Sequence, residues 1–260
     1  MKFESRDQLT QWAREAQRLW LFLDYDGTLA DFAPTPDHIE PDPALIRLLE
    51  RLVSQPAIRV TILSGRRLEH VRQLLPVTGL FLAGTYGIEV LTPAGEMIHR
   101  VEYGDIRPLL ERIKHGWQQL LDGRKGFYLE DKGWAIALHA RFAEHTEAEE
   151  VLNQARRMLK LEAHASRFRV LGGHKFLELA PALASKRETV LYLLDHFPRL
   201  ETRLLYIGDD DKDEEAFSLI QARGGVAIKV IQPSQASHTS EADFFLESPS
   251  EARNWLESLV

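Results

Sequence analysis

The sequence predicts an α/β protein, an open and largely parallel sheet with helices on both faces, interrupted by an inserted α+β unit of order αββαββ. Three observations lead there. Short apolar runs alternate with helical patterns in both outer parts of the chain, which is the rhythm of a parallel sheet. The middle changes to helix-strand-strand, twice over. Charged clusters fall where the outer strands end.

Taken in order, the core strands are LWLFLD (19–24), RVTIL (59–63), LFLA (80–83), RLLYIG (203–208), GVAIKV (225–230) and DFFL (243–246). PALIRLLERLVSQ and RRLEHVRQLL supply helices between the first three. IEVLTPAGEMIHRV reads as a Pro/Gly hairpin that appends two strands after LFLA. From about Asp105 the order is helix (IRPLLERIKHGWQQLL), strand (GFYLED), strand (WAIALHAR), helix (EAEEVLNQARRMLK), strand (RFRVLG) and strand (KFLELA). Turns such as Asp-Lys-Gly and Gly-Gly-His make these strands antiparallel pairs. The expected division is a core of residues 1–103 with 180–260 and an insert of 104–179, hinged near Tyr103-Gly104 and Ala180-Pro181.

Composition bounds the function. The 260 residues are long enough for such a core and insert, and 44% hydrophobic with 27% charged content is that of an ordinary soluble globular protein. With 39 acidic against 32 basic residues the net charge is −7, which argues against a nucleic-acid partner. An anionic ligand must be met by local charge. The absence of cysteine excludes disulfides, thiolate metal sites and a thiol nucleophile. The charged start MKFESRDQLTQWAREAQ lacks a signal peptide's apolar centre, and no apolar run approaches the roughly 20 residues of a membrane span. The expectation is a cytoplasmic monomer with no membrane partner.

Four clusters carry the chemistry. Residues two apart in a strand point the same way, so Asp24 and Asp26 are expected to share a small space. A divalent cation, a shared proton or a nearby lysine would offset their repulsion. One carboxylate could act as nucleophile and the other as acid and base; the plainer alternative is a strand followed by an Asx turn. Ser64-Gly65-Arg66 opens a helix after RVTIL, where a hydroxyl and free amides can hold an anion, or where serine simply caps. Lys186, in the first turn of ALASKRETVLYLL, opposes the helix dipole unless its charge has a task, the alternative being a solvated surface lysine. Finally, six acidic residues crowd positions 209 to 215 after a strand, a source of hard oxygen ligands suited to Mg²⁺ or, more plainly, an acidic helix start.

The order DxDGT, Ser, Lys, GDDxxD resembles the haloacid dehalogenase superfamily of phosphohydrolases. That resemblance implies a Rossmann-like core with a cap domain. It makes Asp24 the nucleophile, taking the phosphoryl group as an aspartyl-phosphate, and Asp26 the acid/base. Thr28, Ser64, Gly65, Arg66 and Lys186 would bind phosphate. Asp24, Asp26 (through its backbone carbonyl), Asp209, Asp210 and Asp213 would surround Mg²⁺.

Position and content of the insert are similar to the trehalose-6-phosphate phosphatase family, whose caps close over the core. GDDDKDEEAF (208–217) matches its GDDxTDExAF pattern, Glu130-Asp131-Lys132 its ExK, His139-Ala140-Arg141 its HxR, and Glu178 its glutamate before a proline. The resemblance implies that Glu130, Lys132, His139, Arg141 and Glu178 read the sugar of a small-molecule sugar phosphate; a salt-bridged sheet face is the bland alternative. Three positions depart from the family. Tyr86-Gly87 stands for its histidine-glycine, Lys186-Arg187 for its lysine-glycine, and Lys212 for its threonine. Open alternatives are another sugar phosphate (glucosyl- or mannosyl-3-phosphoglycerate, sucrose 6-phosphate), a phosphomutase, and a silent sugar-phosphate-binding partner.

Overall fold

A computed structural model describes residues 2–32, 40–162, 167–173, 175–231 and 240–260. The chain divides into two compact units, 1–98 with 185–260 and 99–184. The insert is thus longer at each end than expected, because the segments around residues 99–103 and 180–184 pack with it: His99 and Tyr103 both lie against Trp134.

In the first unit, the described strands form one sheet in the order β12 (Phe244–Leu246), β11 (Val226–Val230), β10 (Thr202–Gly208), β1 (Arg18–Asp24), β2 (Ile58–Leu63), β3 (Phe81–Gly84), β4 (Glu89–Leu91), β5 (Met97–His99). β1 lies at its centre, parallel to both β10 and β2, and the hairpin adds β4 antiparallel to β3. Residues Leu19 to Leu23 are all buried, each large side chain stabilising by about 1.5–3 kcal/mol on transfer from water. Their alternation sorts the helices. Leu19, Leu21 and Leu23 pack with α1 (Arg6–Arg14), α2 (Pro43–Ser54), α3 (Leu68–Leu74) and α8 (Pro249–Glu257). Trp20 and Phe22 face α6 (Lys186–His196) and α7 (Asp211–Ala222) on the other side. The sequence reading missed α1, which buries Leu9 and Ala13 and packs Trp12 against the same core within a charged segment, capped by the Ser5 side chain accepting from the Gln8 amide.

In the second unit, α4 (Tyr103–Leu121) and α5 (His145–Glu162) cover one face of an antiparallel sheet ordered β6 (Tyr128–Asp131), β7 (Ile136–His139), β9 (Phe176–Pro181), β8 (Phe168–Gly173). The αββαββ order is the expected one. His174, in the expected Gly-Gly-His turn, lies outside the described residues. Ile136, Leu138, Leu177 and Leu179 face the helices. Glu130, Ala137 and Glu178 align across the strands on the opposite face.

Candidate active site

Alternation along β1 aims its last residue. Asp24 follows Trp20 and Phe22 on the α6/α7 side, and Lys186, first residue of α6 after the Ser185 cap, brings Nζ to 2.9 Å from its Oδ1. Both are buried. Nζ also lies 2.6 Å from Asp213 Oδ1 and 3.7 Å from Asp210 Oδ1. Burial works against the charged lysine, yet Asp213, Asp24 and Asp210 hold its pKa well above the ordinary value. Burial raises Asp24 in turn, with Lys186 opposing. The lysine is therefore no surface group but the central cation of a buried acidic cluster.

Asp26 does not share that space. The strand ends at Asp24, and Gly27 turns at a φ of 84°, a left-handed conformation that glycine adopts without strain. A Cβ there would also lie 2.3 Å from Asp209 Oδ2, so glycine is required on two counts. The turn carries Asp26 to Arg66, whose guanidinium donates to both carboxylate oxygens, Nε to Oδ2 at 2.7 Å and Nη2 to Oδ1 at 2.6 Å. Each aspartate thus has its own cation. Arg66, expected at the phosphate, here forms the bidentate fork that suits a guanidinium and a carboxylate.

Ser64 also departs from expectation. α3 begins only at Leu68, so Ser64 neither caps it nor adjoins its free amides. Its Oγ accepts from the Arg66 amide at 3.1 Å. The Ser64-Gly65-Arg66 loop is tied to the segment after β3: the Tyr86 amide donates to the Ser64 carbonyl and the Thr85 amide to that of Arg66. Gly65 has no room for a side chain, since a Cβ would lie 2.7 Å from the Tyr86 hydroxyl.

The acidic turn after β10 divides its labour. Asp210 caps α7, accepting from the Lys212 and Asp213 amides. Burial would raise its pKa, but Lys186 and then Lys212 hold it below the usual carboxylate range. Asp213 is fully buried and takes four donors: Lys186 Nζ, the Tyr206 hydroxyl at 2.7 Å, and the amides of Asp209 and Asp210 at 3.2 and 3.1 Å. A carboxylate has about four lone-pair sites, so these saturate it. Asp209 differs. Its Oδ1 accepts from Thr28 Oγ1 at 3.3 Å, while Oδ2 is buried with no partner. Thr28 Oγ1 lies 3.1 Å from Asp24 Oδ2 as well, so one hydroxyl bridges the two carboxylates.

Among the described residues, Asp24, Asp209 and Asp213 offer oxygens within 4.8 Å of one another, and since four donors already occupy Asp213, Asp24 and Asp209 are the two of them left to hold a metal ion. The partnerless Asp209 Oδ2 fits a cation, which would satisfy it. The Asp210 carboxylate caps α7 instead, and that of Asp26, whose backbone carbonyl was the expected ligand, is in the Arg66 fork. Sequence reasoning missed Tyr206, which fixes Asp213; its signal was a single hydroxyl in the otherwise apolar run LLYIG (204–208).

In the second unit, Lys132 Nζ lies 3.0 Å from Glu178 Oε2 and 4.0 Å from Glu130 Oε2, which His139 Nε2 approaches at 3.0 Å. His139 stacks on Tyr128, centroids 4.3 Å apart. Four of the five expected sugar residues thus form one network, with small Ala137 separating the two glutamates. Glu178 is fully buried and its Oε1 has no partner. Arg141 follows in the exposed turn after β7.

A sequence model of the trehalose-phosphatase family matches residues 22–250. A trehalose-phosphate phosphatase of Mycobacterium marinum is 30% identical over 233 residues, 88% of this chain and 58% of that protein. The chain spans 58–61% of the length of the mycobacterial relatives it matches. The fold is similar to the C-terminal domain of C. albicans trehalose-6-phosphate phosphatase, TM-score 0.86 at 22% identity, covering 99% of this chain and 97% of that one. It is also similar to the C-terminal domain of a Candida albicans trehalose synthase regulatory protein, TM-score 0.79 at 14% identity, covering 99% of each chain. Fold alone therefore does not separate a phosphatase from a regulator.

Proposed function

The chain belongs to the trehalose-phosphatase family, and from that premise we propose that it hydrolyses trehalose 6-phosphate to trehalose and inorganic phosphate. The observation that carries this reading is the buried Asp24 carboxylate at the end of β1, held by Lys186 and bridged through Thr28 to Asp209, whose outer oxygen lacks a partner.

A carboxylate oxygen of Asp24 attacks phosphorus, and the bond from phosphorus to the sugar oxygen breaks. Asp26 donates a proton to that leaving oxygen. Water then attacks the aspartyl-phosphate while Asp26 takes its proton, the phosphorus–Asp24 bond breaks, and phosphate departs. Lys186 stabilises the negative phosphoryl oxygens, with the Ser64 loop alongside. Asp24 and Asp209 would hold Mg²⁺, which supplies further positive charge for those oxygens, while Asp213 organises Lys186 and the turn. Before Asp26 can donate, its carboxylate must leave the Arg66 fork, where both of its oxygens accept from the guanidinium. Arg66, once released, can turn to the phosphate.

Glu130, Lys132, His139, Arg141 and Glu178 read the sugar hydroxyls; the partnerless Glu178 Oε1 supports a role as acceptor. The reading of a silent, regulator-like chain is less favoured, because the nucleophile, acid/base, lysine and metal carboxylate are all present. The test is phosphate release from trehalose 6-phosphate, sucrose 6-phosphate, glucosyl- and mannosyl-3-phosphoglycerate and glucose 6-phosphate, with Mg²⁺ or chelator, against Asp24→Asn. Trehalose 6-phosphate should be much the best substrate and the variant inactive. Preference for another ester would overturn the sugar assignment, and no turnover would favour the silent reading.

A further inference from the structure

We propose that Lys212, positioned by Tyr86, is a second phosphate-directed cation of this site, beyond the lysine and serine that the family resemblance assigns. The inference rests on the phosphatase reading above.

Tyr86 stands in a short turn directly after β3, where Thr85 and Tyr86 have φ of 49° and 54°. Two successive non-glycine residues in the left-handed region are uncommon, and they set the direction of the ring. Hydrogen bonds hold the turn on both sides: the Tyr86 amide donates to the Ser64 carbonyl at 2.9 Å, and its carbonyl accepts from Thr189 Oγ1, on α6 one turn beyond Lys186, at 2.8 Å. The ring end rests on Gly65. Tyr86 therefore lies against the loop expected to bind phosphate.

The Lys212 ammonium is 5.8 Å from the centroid of that ring and 3.1 Å from Asp210 Oδ2. Aromatic face and carboxylate together confine a flexible side chain. Lys186 has only 3% of its side chain exposed, whereas Lys212 keeps 28%. Lys212 is thus the more accessible of two lysines that share Asp210, placed to meet an arriving anion.

Charge supports the assignment. Among the groups linked by these contacts, Asp24, Asp26, Asp209, Asp210 and Asp213 face Lys186, Arg66 and Lys212; one divalent cation makes the set neutral. Without Lys212 the same set stays negative when a phosphate dianion arrives. A neutral threonine, common at this position in the family, supplies no such charge, so the tyrosine and lysine departures act as one feature.

The experiment measures inhibition by inorganic phosphate and steady-state kinetics with trehalose 6-phosphate for Lys212→Thr, Lys212→Arg, Tyr86→Ala and the Tyr86→Ala/Lys212→Thr pair. Lys212→Thr should raise both the phosphate Ki and KM by about tenfold with kcat within about threefold, as expected for one charge lost from a partly buried anion site. Lys212→Arg should restore most of this. Tyr86→Ala should give a smaller rise, and the double variant should be no worse than Lys212→Thr alone, since the ring acts through the lysine. An unchanged phosphate Ki overturns the proposal, as does a fall in kcat at constant Ki, which would leave Lys212 only neutralising Asp210. If the wild type turns over no ester, the phosphatase reading fails separately, and calorimetric binding of inorganic phosphate decides: tighter binding by wild type than by Lys212→Thr upholds the inference, while equal or no binding refutes it.

Discussion

Replacing Asp209 by asparagine should stabilise the metal-free protein while abolishing its activity. The carboxylate is 1% exposed, Oδ2 lacks a partner, and burial, then Asp24 and Asp213, push its pKa from 3.8 up to about 9. The sign follows from proton counting. Between those two values the folded state keeps a proton that the unfolded chain has lost, so stability falls as pH rises, by up to about 1.4 kcal/mol per pH unit for one proton. Asparagine has no proton to lose, so the variant escapes this slope.

Because Asp24 and Asp213 compete for the same protons, we expect Asp209→Asn to gain about 2 kcal/mol near pH 8 and less near pH 6, the scale of one buried unsatisfied polar group. Urea unfolding in chelator at the two pH values measures it. Saturating Mg²⁺ should reverse the order, since a ligand at 100 times its Kd adds about 2.7 kcal/mol to the wild type and little to the variant. A variant less stable than wild type in chelator at both pH values, or one with the same pH slope, would refute the reasoning.

Thr28→Val should lower kcat/KM by about 10- to 100-fold through loss of a hydrogen bond to charged groups, with Thr28→Ser restoring most of it; phosphate-release kinetics check this. Tyr206→Phe leaves Asp213 one donor short in a dry site and should cost about 1–3 kcal/mol of stability, read by thermal unfolding. Gly27→Ala must shift Asp209, so the apparent Mg²⁺ affinity, measured by titrated activation, should fall more than the left-handed strain of about 1–2 kcal/mol lowers stability. In the second unit, Arg107 and Lys114 hold Asp131 well below the usual carboxylate range, burial opposing. Its contribution is full above its ordinary value of 3.8 and lost below it, so Asp131→Asn should destabilise by about 1–3 kcal/mol at neutral pH and converge with wild type in acid unfolding.

What could be read from the sequence follows from how local each signal is. β1 was legible because six residues in a row carry the pattern, and the αββαββ order because periodicity changes within each short segment. Helix α1 escaped because Leu9, Trp12 and Ala13 span too short a stretch to show a period among charges. That Lys186 holds the Asp24 carboxylate was expected from a lysine set against the helix dipole, and the two lie 2.9 Å apart, although no spacing by itself encodes the pairing. For Arg66, the pairing with Asp26 was not legible, because no spacing encodes it either. Its partner depends on where the chain turns after β1, which Gly27 decides, and on α3 starting two residues past it. Tyr206 and Asp213 are seven residues apart on a strand and a helix; only the turn at Gly208, where a Cβ would lie 2.2 Å from Asp213 Cγ, brings them into contact.

The separation of Asp24 from Asp26 bears on chemistry as well as stability. Had both carboxylates faced one lysine, ionising one would have discouraged the other, and two distinct roles would need a large difference in environment. Instead Asp24 is buried beside Lys186 and Asp26 is 24% exposed in an arginine fork. In the proposed mechanism the buried one keeps a fixed direction, as an in-line nucleophile requires, while the partly exposed one remains within reach of water for the second half-reaction. Gly27 makes the division possible, and the same glycine lets Asp209 approach closely enough to serve the nucleophile's side. A single backbone conformation thus separates the proposed acid/base from the proposed nucleophile and joins that nucleophile to the proposed metal carboxylate.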